Sequence, residues 1–254
     1  MPGIGTLQHN NQLFNDHPTA LKLVVYNDDI EVGNPLGSKA GINKLTMYYF
    51  QLLNIENSSS LSNIHLVLIA YSSDVKSFGH SVVLRPFIED LKSLEQGMDV
   101  SNQNGSTKVF GSVVHLAADN LAANESQGFV ASFSATYFCR FCTMAAQQTH
   151  RATVQDRALL RTTKTHIEHV DRSRVDPTTV SKTGVRSECV FEELVHFSPV
   201  DSFTPDLMHD VFHGVATREL SLLLTHCITS QTLSLSQING IIQSFNYGYA
   251  YATY

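Results

Sequence analysis

No stretch of this sequence approaches the roughly 20 consecutive apolar residues of a membrane-spanning helix, and the mean hydropathy is −0.06. The first residues, Met1-Pro-Gly-Ile-Gly-Thr-Leu-Gln-His-Asn-Asn11, lack the basic and apolar regions of a secretory signal, so an intracellular protein is expected. Four cysteines in 254 residues are too few for a disulfide scaffold. A reducing compartment favours free or metal-bound thiols instead. There is no P-loop, no Rossmann glycine fingerprint and no nucleophile elbow. The glycine-rich turn at 33–41 lacks the Gly-Lys-Thr/Ser ending that phosphate cradling needs. A surplus of positive charge is missing too. The net charge of −6 argues against a uniformly basic nucleic-acid binder.

What is present suffices for a core, since 43% of the residues are hydrophobic, enough for one large domain or two small ones. Charge is unevenly placed. Residues 1–137 hold 7 Lys+Arg and 12 Asp+Glu, residues 138–187 hold 9 and 4, and residues 188–254 hold 1 and 7, for nets of −5, +5 and −6. The middle segment is thus a basic insertion between acidic flanks. Such a segment either tracks a phosphate backbone or forms a solvated helical face.

Residues 1–19 read as an unstructured polar tail. Strand patterns follow at Ala20–Val32, Lys44–Asn54 and Ile64–Tyr71, separated by the Gly/Pro turn at 33–41 and a serine-rich loop. The Tyr48-Tyr49-Phe50 cluster belongs to strand core. Ser81–Leu94 has the apolar spacing of a helix, with Pro86 tolerable near its first turn. A loop at Gly97–Thr107 leads to a fourth strand, Lys108–Ala118. Three strands joined by short turns form an antiparallel meander, and a helical crossover lets the fourth pair parallel to one of them. This is the element order of the ribonuclease-H-like fold, an α/β mixed sheet with flanking helices, in which the first and fourth strands are neighbours. Asp28 or Asp29 then lies next to Asp119. An apolar strand ending in a carboxylate is a common way to hold a divalent metal, and two together suggest metal-dependent phosphoryl transfer. The plainer alternative is that these aspartates only open the turns after their strands.

Cys139 and Cys142 have the spacing with which two thiolates grip one tetrahedral zinc ion. Only half a site is visible. His209 and His213, four apart, are candidates for the rest, as are the nearer His150, His166 and His169. Cys189 and Cys227 have no partner at a ligand spacing and read as core thiols.

Four segments together resemble a known family. Tyr26-Asn-Asp-Asp-Ile-Glu-Val-Gly-Asn-Pro-Leu-Gly-Ser38 resembles the first-aspartate block of DDE transposase-like proteins. Ala118-Asp-Asn-Leu-Ala-Ala-Asn-Glu-Ser-Gln-Gly-Phe129 is similar to their second. Phe138-Cys-Arg-Phe-Cys142 matches the cysteine pair after it, and Pro205-Asp-Leu-Met-His-Asp-Val-Phe-His-Gly-Val215 resembles the block preceding the third acid. The resemblance is to the CACTA/EnSpm type of cut-and-paste transposase, over about Leu21 to Tyr247. It implies a nuclear, DNA-binding catalytic core in which three carboxylates hold Mg²⁺ or Mn²⁺, with Asp28 or Asp29 and Asp119 as two of them. It also implies zinc at Cys139 and Cys142, with His209 first among the added ligands and His213 next.

Two positions depart from the pattern. The family often has Glu where this chain has His213, and its third acid comes well after the Asp-x-x-His block. Here 45 residues follow His209, and the one later glutamate, Glu219, lies too close to that block. The resemblance therefore implies a truncated or domesticated copy with no DNA cleavage in this form. The expected division is a tail at 1–19, a ribonuclease-H-like core at 20–137, a basic insertion with the cysteine pair at 138–187, and a helical segment at 188–254. A non-catalytic DNA- or protein-binding module derived from a transposase, and an unrelated α/β protein with turn-capping aspartates, stand as alternatives.

Overall fold

The computed structural model describes residues 11–33, 43–58, 60–103 and 105–246. Most of the Gly/Pro turn at 33–41, the first ten residues and Tyr247–Tyr254 lie outside them. The chain divides into two compact units, one running to Pro205 and the other from Asp206.

The first unit is a mixed α/β structure. Its main sheet has the order β3-β2-β1-β6, where β1 is Leu21–Glu31, β2 Lys44–Leu52, β3 Ile64–Tyr71 and β6 Gly111–Ala118. β1 pairs antiparallel with β2, β2 antiparallel with β3, and β1 parallel with β6. The inward residues of β1 alternate as a half-buried strand requires, with Leu23, Val25 and Asn27 buried. The meander and the parallel crossover thus stand as the residue pattern predicts.

The crossover helix packs on that inner face. After helices α1 (Gln12–Asp16) and α2 (Ser72–Phe78) and a helical turn at His80–Val83, helix α3 runs Arg85–Gln96, with Pro86 in its first turn. There the missing N–H costs nothing, because the first four amides of a helix have no intrahelical partner. Leu84, Ile88 and Leu91 meet Leu23, Val25, Val113, Leu116 and Phe191 in the main core. Each such side chain removed from water contributes ~1.5–3 kcal/mol. Glu95 at the end of α3 is buried yet satisfied. Its Oε1 accepts from Ser112 Oγ at 2.6 Å and the His196 amide at 3.1 Å, and its Oε2 accepts from the Val195 amide at 2.8 Å.

Three local expectations differ from the structure. The loop expected at 97–107 is a two-stranded ribbon, β4 (Met98–Asn102) with β5 (Gly105–Val109), so the long fourth strand is two, separated at Phe110. The tail contains α1, capped by the Asn11 side chain on the Leu13 amide and burying Leu13 and Phe14. Residues 188–205 are turns rather than helix.

The insertion starts from helix α4 (Asn120–Ser126), which Asp119 caps. A tight ladder joins 128–130 to 184–186, with Val130 N bonded to Gly184 O and Arg186 N to Gly128 O. Gly184 has φ +72°, and a Cβ there would stand 1.8 Å from the Tyr137 carbonyl oxygen. No side chain fits so close an approach. Helix α5 (Thr163–Val175) adds Val170 to a small second core of Phe129, Val185 and Phe203. The chain then returns to the sheet. Leu116 N bonds Ser202 O at 3.1 Å and Thr204 Oγ1 bonds Leu116 O at 3.1 Å, a short parallel bridge beside β6.

The second unit begins with a π-helical segment, Leu207–Ala216, continued by α6 (Thr217–Thr229) and α7 (Leu235–Ser244). The Asp206 carboxylate accepts from the amides of Met208 and His209, and Ser234 with Gln237 forms a capping box on α7. No helix among the described residues is long and apolar enough to cross a membrane.

Candidate functional site

The parallel register of β1 and β6 ends at Asn27 opposite Ala118, so Asp28 and Asp119 are the next residues of the two neighbouring strands. β1 does not stop at the aspartates. It stays paired with β2 through Asp28 opposite Met47 and Asp29 opposite Thr46. Successive side chains of a strand point to opposite faces, so the doublet splits. Asp28 shares the outer face with Tyr26, whose hydroxyl donates to Asp28 Oδ2 at 3.2 Å, and Asp28 Oδ1 accepts from the Asp29 amide. Asp29 shares the inner face with buried Asn27. Its Oδ1 accepts from Thr46 Oγ1 at 2.5 Å, and Thr46 in turn bonds the buried Ser72 hydroxyl at 2.9 Å.

That inner face carries further polar groups. The Tyr48 hydroxyl bonds His80 Nδ1. Burial, then the charges of Asp29, Cys189 and Glu125, push the Tyr48 phenol well above its ordinary pKa. Burial lowers the His80 pKa against the pull of Asp29. At neutral pH the pair is therefore a neutral phenol hydrogen-bonded to a neutral imidazole. Asp119 leaves β6 and turns into α4, its Oδ1 accepting from the Ala122 amide at 2.7 Å. The turn-capping role of this aspartate is thus real, and it fixes the carboxylate at the strand end.

The Cys139–Cys142 loop lies in the first unit, half-buried, and both thiols are free. Cys142 is held opposite Leu160 by a short bridge, and Arg161 closes the loop. The Arg161 guanidinium donates to Cys139 O at 3.1 Å and Thr183 O at 2.7 Å, meets His169 Nδ1 at 3.4 Å, and lies over the Phe129 ring. Burial brings its pKa down to about 10, against the opposite pull of the two cysteines. Burial also pushes the Cys142 thiol up. Of the nearer histidines, His150 is exposed and His166 is wholly buried against Phe129, 3.8 Å from Glu192 Oε2. His209 and His213 belong to the second unit, their rings 5.8 Å apart. The His209 ring bonds Asp206, and with the amides of Met208 and His209 it holds the Asp206 carboxyl below its usual range despite burial. Cys189 is a buried core thiol, pushed up to about 12 by burial.

Among the described residues no group of three or more His, Cys, Asp or Glu side chains is arranged to hold a metal ion. At the strand ends the donors fit a hard divalent cation in kind, being carboxylates. They fall short in number.

Of the nine basic residues of the insertion, Arg140 and Arg161 are buried, while Arg172 and Arg174 pair with Glu168, Asp171 and Glu188. Arg151, Arg157, Lys164, Lys182 and Arg186 are exposed and make no ion pair among the described residues. Sequence reasoning missed Thr46, Ser72, His80, Arg140 and Arg161. The two arginines gave no signal, because a basic residue in a basic segment reads as solvated. No protein-family model and no curated protein matches this chain.

Proposed function

We propose that this chain is a transposase-derived protein built on a ribonuclease-H-like core, descended from a metal-dependent DNA phosphoryl-transfer enzyme of the CACTA/EnSpm type. The observation that carries the reading is the parallel pairing of β1 with β6, with an aspartate next in line on each strand. Of the doublet, Asp28 is in line with Asp119 and accepts from Tyr26 on the outer face, while Asp29 faces the inner side and accepts from Thr46, so the ligand pair is Asp28 or Asp29 with Asp119. A bound Mg²⁺ or Mn²⁺ would activate an attacking oxygen and stabilise a leaving one. Asp28 or Asp29 would hold that ion together with Asp119, with Tyr26 orienting Asp28, Thr46 orienting Asp29 and the Ala122 amide orienting Asp119.

The partner is DNA, met by the five exposed cations of the insertion, and the protein acts in the nucleus. Zinc at Cys139 and Cys142 belongs to the same reading. One zinc per chain in the purified protein, lost in Cys139→Ser, is the expected result.

With two assigned carboxylates, the 254-residue chain binds Mn²⁺ weakly and does not cleave DNA. A missing transition-state contact costs on the order of a thousandfold in rate. The test is a Mg²⁺- or Mn²⁺-dependent nicking assay beside an Asp119→Ala control. Cleavage that vanishes in the control would mean that a third acid operates, and binding of neither metal nor DNA would remove the reading. The short donor set favours a second reading, a transposase-derived module that binds DNA without catalysis.

A further inference from the structure

Arg140 sits inside the Cys-Arg-Phe-Cys loop, but its guanidinium reaches away from the cysteines. It is 4% exposed. Nη1 donates to Asn120 Oδ1 at 2.9 Å and to Asn124 Oδ1 at 3.4 Å, and Nη2 donates to the Thr204 carbonyl at 3.3 Å. Its plane lies over the Phe141 ring, 4.6 Å from the centroid. Asn120 and Asn124 stand one turn apart on α4, the helix that Asp119 caps. Asn124 is itself tied down, its amide donating to Val130 O and Phe138 O. Thr204 belongs to the short bridge against Leu116 of β6, three residues before Asp119. One side chain of the insertion therefore bonds both structures that flank Asp119, the helix after it and the strand that returns beside it.

We propose that Arg140 is the positioning residue for Asp119. Neither flank holds the aspartate alone. α4 is a seven-residue helix, too short to be stable by its own hydrogen bonds. The returning strand is a single bridge. A planar guanidinium with five donors in a fixed fork spans the two, which a lysine ammonium cannot do in the same geometry. Its burial costs solvation, and charge-assisted bonds to three oxygens offset that cost. The arrangement also explains why an arginine occupies a loop held by Cys142 and Arg161, since that loop fixes the origin of the Arg140 side chain. The insertion then does more than carry charge, because it sets the angle at which the strand-end carboxylate is presented.

This inference rests on the proposal that Asp119 binds a divalent metal, and two measurements separate the pair. The first needs no metal: amide hydrogen exchange of the full chain in wild type, Arg140→Ala and Arg140→Lys. Exchange should accelerate at 120–127 by about tenfold or more in Arg140→Ala, less in Arg140→Lys, with β1 and β2 unchanged. Millimolar methylguanidinium should restore part of the protection in Arg140→Ala. The second is Mn²⁺ binding followed by electron paramagnetic resonance, with Asp119→Ala as control. Removing an outer group that orients a ligand costs 10–100-fold in metal affinity, so a loss of about tenfold is expected in Arg140→Ala. Exchange at 120–127 that matches wild type overturns the role of Arg140. Should Arg140→Ala fail to fold, the same comparison is read in Arg140→Lys. Absence of Asp119-dependent Mn²⁺ binding in wild type, with the exchange pattern as expected, overturns the metal reading and leaves Arg140 holding Asp119 for another purpose.

Discussion

The sheet core and the insertion beside it are stabilised by different chemistry. Around β1 and α3 the contacts are apolar, with Leu23, Val25, Leu84, Ile88, Leu91, Val113 and Phe191 nearly free of water. Around Phe129 the apolar core is four residues. Two buried arginines complete it, bonded to backbone carbonyls and amide side chains. Apolar packing is non-directional and tolerates exchange of one hydrocarbon for another of similar volume. An arginine bonded to specific carbonyls is directional, and losing it leaves buried acceptors unsatisfied. The sheet should therefore resist substitution where volume is kept, and the insertion should fail where a single donor is lost.

The largest expected effect is in the core beneath the sheet, at a turn residue packed against it. Phe191→Ala empties a site that is 1% exposed and should cost ~3–5 kcal/mol in denaturant unfolding. Phe191→Leu should cost much less. Equal losses for the two would mean that shape, rather than volume, governs this core. A smaller effect is expected at Arg161→Ala, which strips donors from Cys139 O and Thr183 O and should cost ~1–3 kcal/mol. The damage should be local, seen as protease cuts within 138–187 while β1 to β3 stay protected. Global unfolding in one step would erase the distinction between the two regions.

The smallest effect is electrostatic and belongs to β6. Burial lowers the His115 pKa, outweighing the pull of the Ser202 backbone. Near pH 6.5 the unfolded imidazole takes up a proton before the folded one does. Stability from this group is then complete above that pH and declines as pH falls below it. His80 and His169 shift in the same direction, so His115→Leu should flatten only part of the loss between pH 7 and pH 5. Superimposable pH profiles of denaturant midpoint for variant and wild type would remove His115 from the account.

The strands were legible as β-rich apolar runs bounded by turn signals, and the runs at 20–32, 44–54 and 64–71 became β1, β2 and β3. Connectivity gave only a fourth strand parallel to one of the first three; the expectation that its neighbour is β1 came from the ribonuclease-H-like element order. The ribbon β4–β5 was missed because its described side chains are mostly exposed, which leaves no hydrophobic alternation to read. The signal that could have found it is the Asn-Gly pair at 104–105. At the site, the sequence supplied the aspartates but not their faces. The split between Asp28 and Asp29 comes from the register with β2, and Thr46 and Ser72 are ordinary hydroxyls until pairing brings them together. The roles of Arg140 and Arg161 depend on contacts with residues 20 or more positions away, and no local pattern encodes those.

β3 ends the sheet on one side, and its sequence, Ile64-His-Leu-Val-Leu-Ile-Ala-Tyr71, contains no lysine and no proline. Ile64, Leu66, Ile69 and Tyr71 are exposed along it. Edge strands are ordinarily guarded by charge, proline or a bulge, because an unguarded edge templates pairing with another chain, and β3 has of these only the irregularity at Val67, between its pairs with Tyr48 and Tyr49. Recovery of this protein from denaturant should therefore depend on dilution, as intermolecular strand pairing competes with folding. A lysine at position 66 would act as a gatekeeper, raising the soluble yield without touching the aspartates.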